Sequence, residues 1–155
     1  MAFLSSMNIT GSSLTAQQLR LDVISENVAN INTTRVEGGN GPYRRKLVVM
    51  EAENGRDSFR NVLAQAAGGV PAAAGGLSQQ GGVRVTQIIE DTSPFKLSYD
   101  PTHPDANAQG YVELPNIDLV KEISDAMAAT QAFSANVTAF NTLKTVASRA
   151  LEIGK

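Results

Sequence analysis

Residues 115–154 read PNIDLVKEISDAMAATQAFSANVTAFNTLKTVASRALEIG, and neither proline nor glycine interrupts the run between Pro115 and Gly154. Leu119, Ile123, Ala126, Thr130, Phe133, Val137, Phe140, Ala147 and Leu151 recur at alternating steps of four and three, broken at Lys144. That is the period of one helix face. Pro115 stops the strand-like segment before it, and Asn116-Ile117-Asp118 offers an Asn or Asp cap for a helix after it. The spacing predicts a helix of about 35 residues, roughly 50 Å long, about three times the mean for globular proteins. A helix of that length needs a partner to cover its apolar face.

The other end of the chain offers one. From Ser5 to Asn30 there is no proline; Met7, Leu14, Leu21 and Val28 recur every seven residues, and Phe3, Ile24 and Ile31 fall at intermediate steps. This is a heptad seam. Gly11 allows a bend or a late start with Ser12 or Ser13 as cap. Asn27, Asn30 and Asn32 favour an end near Asn30, because their short polar side chains compete for backbone hydrogen bonds. The seams admit two readings: an antiparallel hairpin closed within one chain, or packing between subunits. The head helix covers only about 25 of the tail's roughly 35 residues, which directs the excess apolar surface to other chains.

Between the helices, Tyr43 to Ala52, Val83 to Ile89, Phe95 to Tyr99 and Tyr111 to Leu114 read as strands of one small antiparallel sheet. Ala64 to Gly82, rich in glycine and alanine and without periodicity, reads as a flexible loop. The expected class is α+β: long N- and C-terminal helices forming a coiled-coil-like bundle, with a small antiparallel β-rich middle domain. The expected divisions are 1–32 for the first helix, 33–115 for the middle domain with its loop at 64–82, and 116–155 for the last helix.

Composition excludes several function classes. Lysine plus arginine is 13 against 15 aspartate plus glutamate, a formal charge of −2, so no nucleic-acid partner is expected. Charged residues make up 18%, below the usual ~25%, a surface suited to protein neighbours. With no cysteine, thiolate metal sites, disulfides and cysteine nucleophiles are excluded. The apolar run Leu47 to Met50, which no other run in the sequence exceeds, falls far short of the ~18 residues of a spanning helix. Met1-Ala2-Phe3-Leu4 has neither a signal-peptide pattern nor a myristoylation glycine, so any export is expected to take another route.

The remaining motifs read as ordinary structure. His103 is the only histidine and stands beside Pro104 in a turn, without a nucleophile motif. An enzyme would need it to converge with Asp100 or Asp105. Asp105-Ala106-Asn107-Ala108-Gln109-Gly110 starts like a calcium loop, but Asn116 stands where the bidentate glutamate belongs. Gly38-Gly39-Asn40-Gly41 fits neither a dinucleotide fingerprint nor a phosphate loop. Arg44-Arg45-Lys46 alternates faces on a strand and makes no continuous basic patch. No catalytic, cofactor or metal residue, and no small-molecule substrate, is expected.

Ser12 to Asn30, a helix running into the Asn27-Val28-Ala29-Asn30 segment, resembles the amino-terminal signature of bacterial flagellar axial proteins. Asp91-Thr92-Ser93-Pro94-Phe95-Lys96, Tyr99 to Ala106, Gly110 to Asp118 and Ala135 to Gly154 resemble the C-type proximal rod family of the flagellar basal body. Glu26 stands where that family usually has asparagine, and Gln131, Phe133 and Ser134 replace an Arg-x-Tyr-Glu segment. The resemblance implies a non-enzymatic subunit of the torque-transmitting drive shaft, exported through the flagellar type III apparatus and built into a rod across the periplasm. Implied partners are other rod proteins, further copies of the chain, and the hook-basal-body adaptor at the membrane ring. The expected subunit-contact residues are Met7, Leu14, Leu21, Ile24, Asn27, Val28, Asn30, Leu119, Ile123, Phe133, Val137, Phe140 and Leu151. The rival reading is a secreted coiled-coil adaptor that binds one partner without polymerising.

Overall fold

A computed structural model describes residues 2–36, 38, 41–53, 66 and 81–153. The elements in chain order are α1 (Ala2–Ala29), β1 (Lys46–Ala52), β2 (Val83–Glu90), β3 (Lys96–Tyr99), β4 (Tyr111–Leu114) and α2 (Leu119–Ile153). The class is α+β. All of the expected loop at 64–82 except residues 66, 81 and 82 lies outside the described residues.

α1 starts at Ala2 and passes through Gly11, so Ser12 and Ser13 are interior residues, not caps. Hydroxyls along it fold back on the preceding turn: Thr10 donates to the Ser6 carbonyl at 2.6 Å, Thr15 to Gly11 at 3.2 Å and Ser25 to Leu21 at 2.9 Å. Residues that favour caps are thereby held inside a helix. At the other end Asn30 Nδ2 donates to the Glu26 carbonyl at 2.9 Å and Asn30 Oδ1 accepts the Thr33 hydroxyl at 3.1 Å. That side chain closes the last turn.

α2 begins as the sequence predicts. Asp118 Oδ1 accepts the Val120 N–H at 3.0 Å, and the Asp118 carbonyl accepts the Glu122 N–H at 2.9 Å, the geometry of an N-cap. The helix then runs 35 residues.

The strands form two two-stranded sheets, β1 with β2 and β3 with β4, where one sheet was expected. The break lies at Asp91, whose Oδ1 accepts both the N–H and the hydroxyl of Ser93, at 2.9 and 2.6 Å. This local turn, with Pro94 directly after it, ends the β2 ladder. β1 starts at Lys46, later than expected, because the Tyr43 N–H goes to the Thr33 carbonyl and the Arg45 N–H to Asn116 Oδ1. β3 and β4 are antiparallel, with Tyr99 opposite Tyr111 and Lys96 opposite Leu114. Gly110 in their connection has φ +79, and a Cβ there would lie 3.0 Å from Tyr99 Cε2. Only glycine suits that position.

The chain divides into two compact units. One comprises Met1–Ala16, Met50–Arg84 and Ser134–Lys155, and the other Gln17–Val49 and Val85–Phe133. In the first, the Ser12 hydroxyl donates to the Ile9 carbonyl at 2.9 Å and accepts the Val83 N–H at 3.1 Å. Gly82 allows this approach, since a Cβ would stand 2.8 Å from Ser12 Oγ. Asn136 Nδ2 donates to Ser13 Oγ at 2.8 Å in the same unit. The second unit buries Val23, Ile24, Tyr43, Val112, Ile117 and Ala129, and around them a group of polar side chains.

Candidate functional site

Asn27 is 1% exposed and sits on the last turns of α1. Its Nδ2 donates to the Lys46 carbonyl at 2.9 Å and to Glu122 Oε2 at 3.2 Å. Its Oδ1 accepts the Lys46 N–H at 2.9 Å and the Tyr43 hydroxyl at 3.1 Å. The amide thus makes four hydrogen bonds, the full capacity of two donor hydrogens and two acceptor lone pairs. It joins three segments: α1, the entry to β1, and the first turn of α2.

Arg45 and Glu122 complete the junction. Glu122 is wholly buried and Arg45 is 6% exposed. Arg45 Nε donates to Glu122 Oε1 at 2.5 Å, while Nη2 reaches Asp125 Oδ2 at 3.3 Å and Nη1 lies 3.8 Å from Asp91 Oδ2. One guanidinium therefore faces three carboxylates. Arg20 Nη2 approaches Asp125 Oδ1 at 3.5 Å, and Lys46 Nζ pairs with Glu26 Oε1 at 2.5 Å. Asn116 braces the group from behind, accepting the Arg45 N–H at 2.9 Å and donating to the Asp91 carbonyl at 3.1 Å. Arg44, the neighbour in sequence, lies over the Phe95 ring with its Cζ 4.3 Å from the centroid. The run read as a basic cluster is consumed by contacts within the chain.

Two groups here have displaced acidities. Burial pushes the Tyr43 phenol up to about 12, and the carboxylates of Glu26, Glu122 and Glu90 add to the effect. The Asp91 carboxyl is held below its ordinary value, chiefly by the two hydrogen bonds from Ser93 and further by Arg45 and Lys121.

The expected contact residues fall into three environments. Ile24 and Asn27 are buried. Met7, Leu14, Leu21, Val28, Asn30, Phe133, Val137 and Phe140 are half-buried. Leu119, Ile123 and Leu151 are exposed. Within the second unit, Arg20 meets Asp125 and Asn27 meets Glu122, so α1 and α2 run antiparallel there. The face of α2 covered by the chain itself carries Glu122, Ala126, Ala129 and Phe133. Leu119, Val120, Ile123 and Met127 lie together on about 100° of the helix circumference, bordering that face, and all four are exposed.

The look-alike motifs resolve into turns. His103 is half-buried, and its Nδ1 accepts the Asp105 N–H at 3.1 Å. Asp100 accepts the Thr102 N–H and hydroxyl at 3.0 and 2.6 Å, which hold its carboxyl below the ordinary value. Asp105 takes the Thr34 hydroxyl at 2.9 Å and pairs with Arg35. Asn107 Oδ1 accepts the N–H groups of Gln109 and Tyr111. Two of the oxygen donors that resembled a calcium loop, those of Asp105 and Asn107, are committed to the backbone and to neighbours. Among the described residues no helix is long and apolar enough to cross a membrane.

Reading the sequence alone missed Arg45, Glu122, Tyr43 and Asp125. The only local sign was a charged Glu122 flanked by Lys121 and Ile123 within an apolar helix, a pattern shared by any exposed turn.

Comparison with known proteins points to the same two ends of the chain. Residues 7–35 match the family described as flagella basal body rod protein, and residues 108–153 match the flagellar basal body rod FlgEFG protein C-terminal family. Over 153 residues the chain is 46% identical to the flagellar basal-body rod protein FlgC of Bacillus subtilis, covering 97% of each. It is 41% identical over 158 residues to FlgC of Borreliella burgdorferi, covering 99% of the chain and 98% of that relative. Identity to FlgC of Escherichia coli O6:H1 is 39% over 156 residues, covering the whole of both.

Proposed function

The chain belongs to the flagellar basal-body rod protein family, in which it is a structural subunit of the rod, and from that premise we propose that it polymerises through its terminal helices. The observation that carries the reading is a likeness to rod proteins along essentially the whole chain, both helices included. In this proposal residues 1–32 and 116–155 contribute to the rod core as a coiled-coil-like bundle, and 33–115 form the β-rich middle domain. The contacts fall on Met7, Leu14, Leu21, Val28, Asn30, Leu119, Ile123, Phe133, Val137, Phe140 and Leu151, whereas Ile24 and Asn27, expected among them, are buried within the chain itself. Further copies of the chain, other rod proteins, the adaptor at the membrane ring and the export apparatus are its partners. We assign it no catalytic step.

Physical chemistry supports the proposal at two points. The exposed Leu119, Val120, Ile123 and Met127 form one apolar strip, which costs free energy in water and is relieved by a protein neighbour. Long helices packed side by side also suit a shaft under torque, because interdigitated side chains resist sliding. The test is complementation of a strain lacking its own copy of this subunit, scored by swimming and by rods in isolated basal bodies. Wild type restores both. Leu21→Asp, which sets an unpaired carboxylate in a packed seam at a cost of several kcal/mol, is exported and builds no rod. A stable small complex without rods from the wild-type chain would overturn the reading.

A further inference from the structure

The apolar pattern says little about where along α2 the first helix should sit. Met7, Leu14, Leu21 and Val28 repeat every seven residues and are all half-buried. The facing side of α2 carries Ala126, Ala129 and Phe133, with Phe140 one heptad beyond Phe133, so its apolar residues repeat as well. A slide by one heptad, about 10 Å along the axis, sets apolar against apolar again. The buried polar groups have no such degeneracy. Asn27 fills all four of its hydrogen-bonding sites, two with Lys46, one with Tyr43 and one with Glu122. Glu122 in turn holds the Arg45 guanidinium. Any slide strands a buried carboxylate and a buried amide together.

We propose that Asn27, Arg45 and Glu122 are positioning residues that fix the axial register of α1 against α2, and that they supply specificity of register in place of net stability. The physical basis is twofold. Buried ionic groups roughly break even against well-packed apolar replacements of similar volume, and a single polar position in an apolar helix pair discriminates among registers the apolar pattern leaves equivalent. Three segments meet at the trio, so α1 is locked to α2 and both to the entry of β1. For a rod subunit, register is length. A chain slipped by one heptad presents its outer faces about 10 Å out of place and does not repeat along a polymer. That consequence rests on the rod reading; the register itself belongs to the isolated chain.

The chain has no cysteine, so introduced pairs report cleanly. Ser13 and Asn136, hydrogen-bonded at 2.8 Å, mark the native register as a Ser13→Cys/Asn136→Cys pair. Ser13→Cys with Ala129→Cys, or with Leu143→Cys, marks a slip of one heptad in either direction. Each pair is placed in the purified full-length chain, with and without Asn27→Leu/Arg45→Met/Glu122→Leu, and disulfide yield is measured beside helix content by circular dichroism. In the native background only the 13/136 pair closes. In the triple variant helix content is kept, while the preference for 13/136 over the slipped pairs falls about tenfold or more. Arg45→Lys, which keeps a cation beside Glu122, retains part of the preference that Arg45→Met loses. An unchanged 13/136 preference in the triple variant overturns the proposal. So does loss of helix in that variant, which would make the trio a support of the fold, and so does failure of any pair to close in the native background. Swimming of the triple variant is scored separately. A slipped chain that still swims sinks the rod consequence and leaves the register intact.

Discussion

The two stretches of α2 on either side of Phe133 are built differently. Up to Phe133 the helix has two residues wholly enclosed by its own chain, Glu122 and Ala129, and its acidic groups meet Arg45, Arg20 and the Asn27 amide. From Ser134 to Glu152 no described residue is fully buried, and Val146 and Leu151 are 56% and 76% exposed. The contrast teaches what the chain settles alone and what it leaves to neighbours. Charges must find partners within the subunit, because an unpaired buried charge is intolerable at any stage. Apolar surface tolerates water until another chain covers it.

The largest expected effect breaks the first stretch. Arg45→Ala leaves the buried Glu122 carboxylate without its guanidinium and should cost about 3–5 kcal/mol, read as a shift in the midpoint of urea unfolding. A loss below about 1 kcal/mol would mean that Glu122 finds water or another cation. Next comes packing. Ala129 is completely buried, so Ala129→Leu overfills its site and should cost about 1–3 kcal/mol. Ala150→Leu, on the exposed stretch, serves as the control and should leave the midpoint where it was.

Tyr43→Phe is smaller and tests the electrostatics. It deletes the hydroxyl that donates to Asn27 and should cost about 1 kcal/mol at neutral pH. The phenol's folded value, about 12, lies above its ordinary 10. The protonated form is therefore favoured by folding, and the associated stability is complete below pH 10 and lost as pH rises through 12. Wild type should weaken over that window, and Tyr43→Phe should show less of the decline. Equal slopes would show that the decline has another source. The smallest effect falls at the far end: Leu151→Ala should change the isolated chain by less than about 0.5 kcal/mol. Its defect, if the proposed contact holds, is confined to rod assembly, and normal rods would remove Leu151 from the interface.

Much of the fold was written locally. The stepping of apolar residues and the absence of proline marked out both helices. Asp118 capped α2 and Asn30 closed α1 as their side-chain chemistry requires. The strand at Tyr111–Leu114 fell where the sequence put it. These features depend on residues within a few positions of one another, so covalent spacing alone determines them. Ser12 and Ser13 misled as caps because the same hydroxyl chemistry also folds back on a continuing helix, and the neighbours in the fold chose between the two.

The junction was different. Arg45 reads as one of three basic residues alternating faces on a strand, and nothing next to Glu122 in the chain marks it for burial. Tertiary structure turned both inward by bringing together residues 77 apart in the chain, and it joined Asn27 to Glu122 across 95. The sequence by itself determined which segments are helical, where α2 starts and stops, where α1 ends, and the likeness to rod proteins. Only the tertiary structure decided which charges are buried and which apolar side chains stay in water. Helix period is a property of neighbours along the backbone, whereas the burial of a charge depends on a partner that arrives from a distant segment.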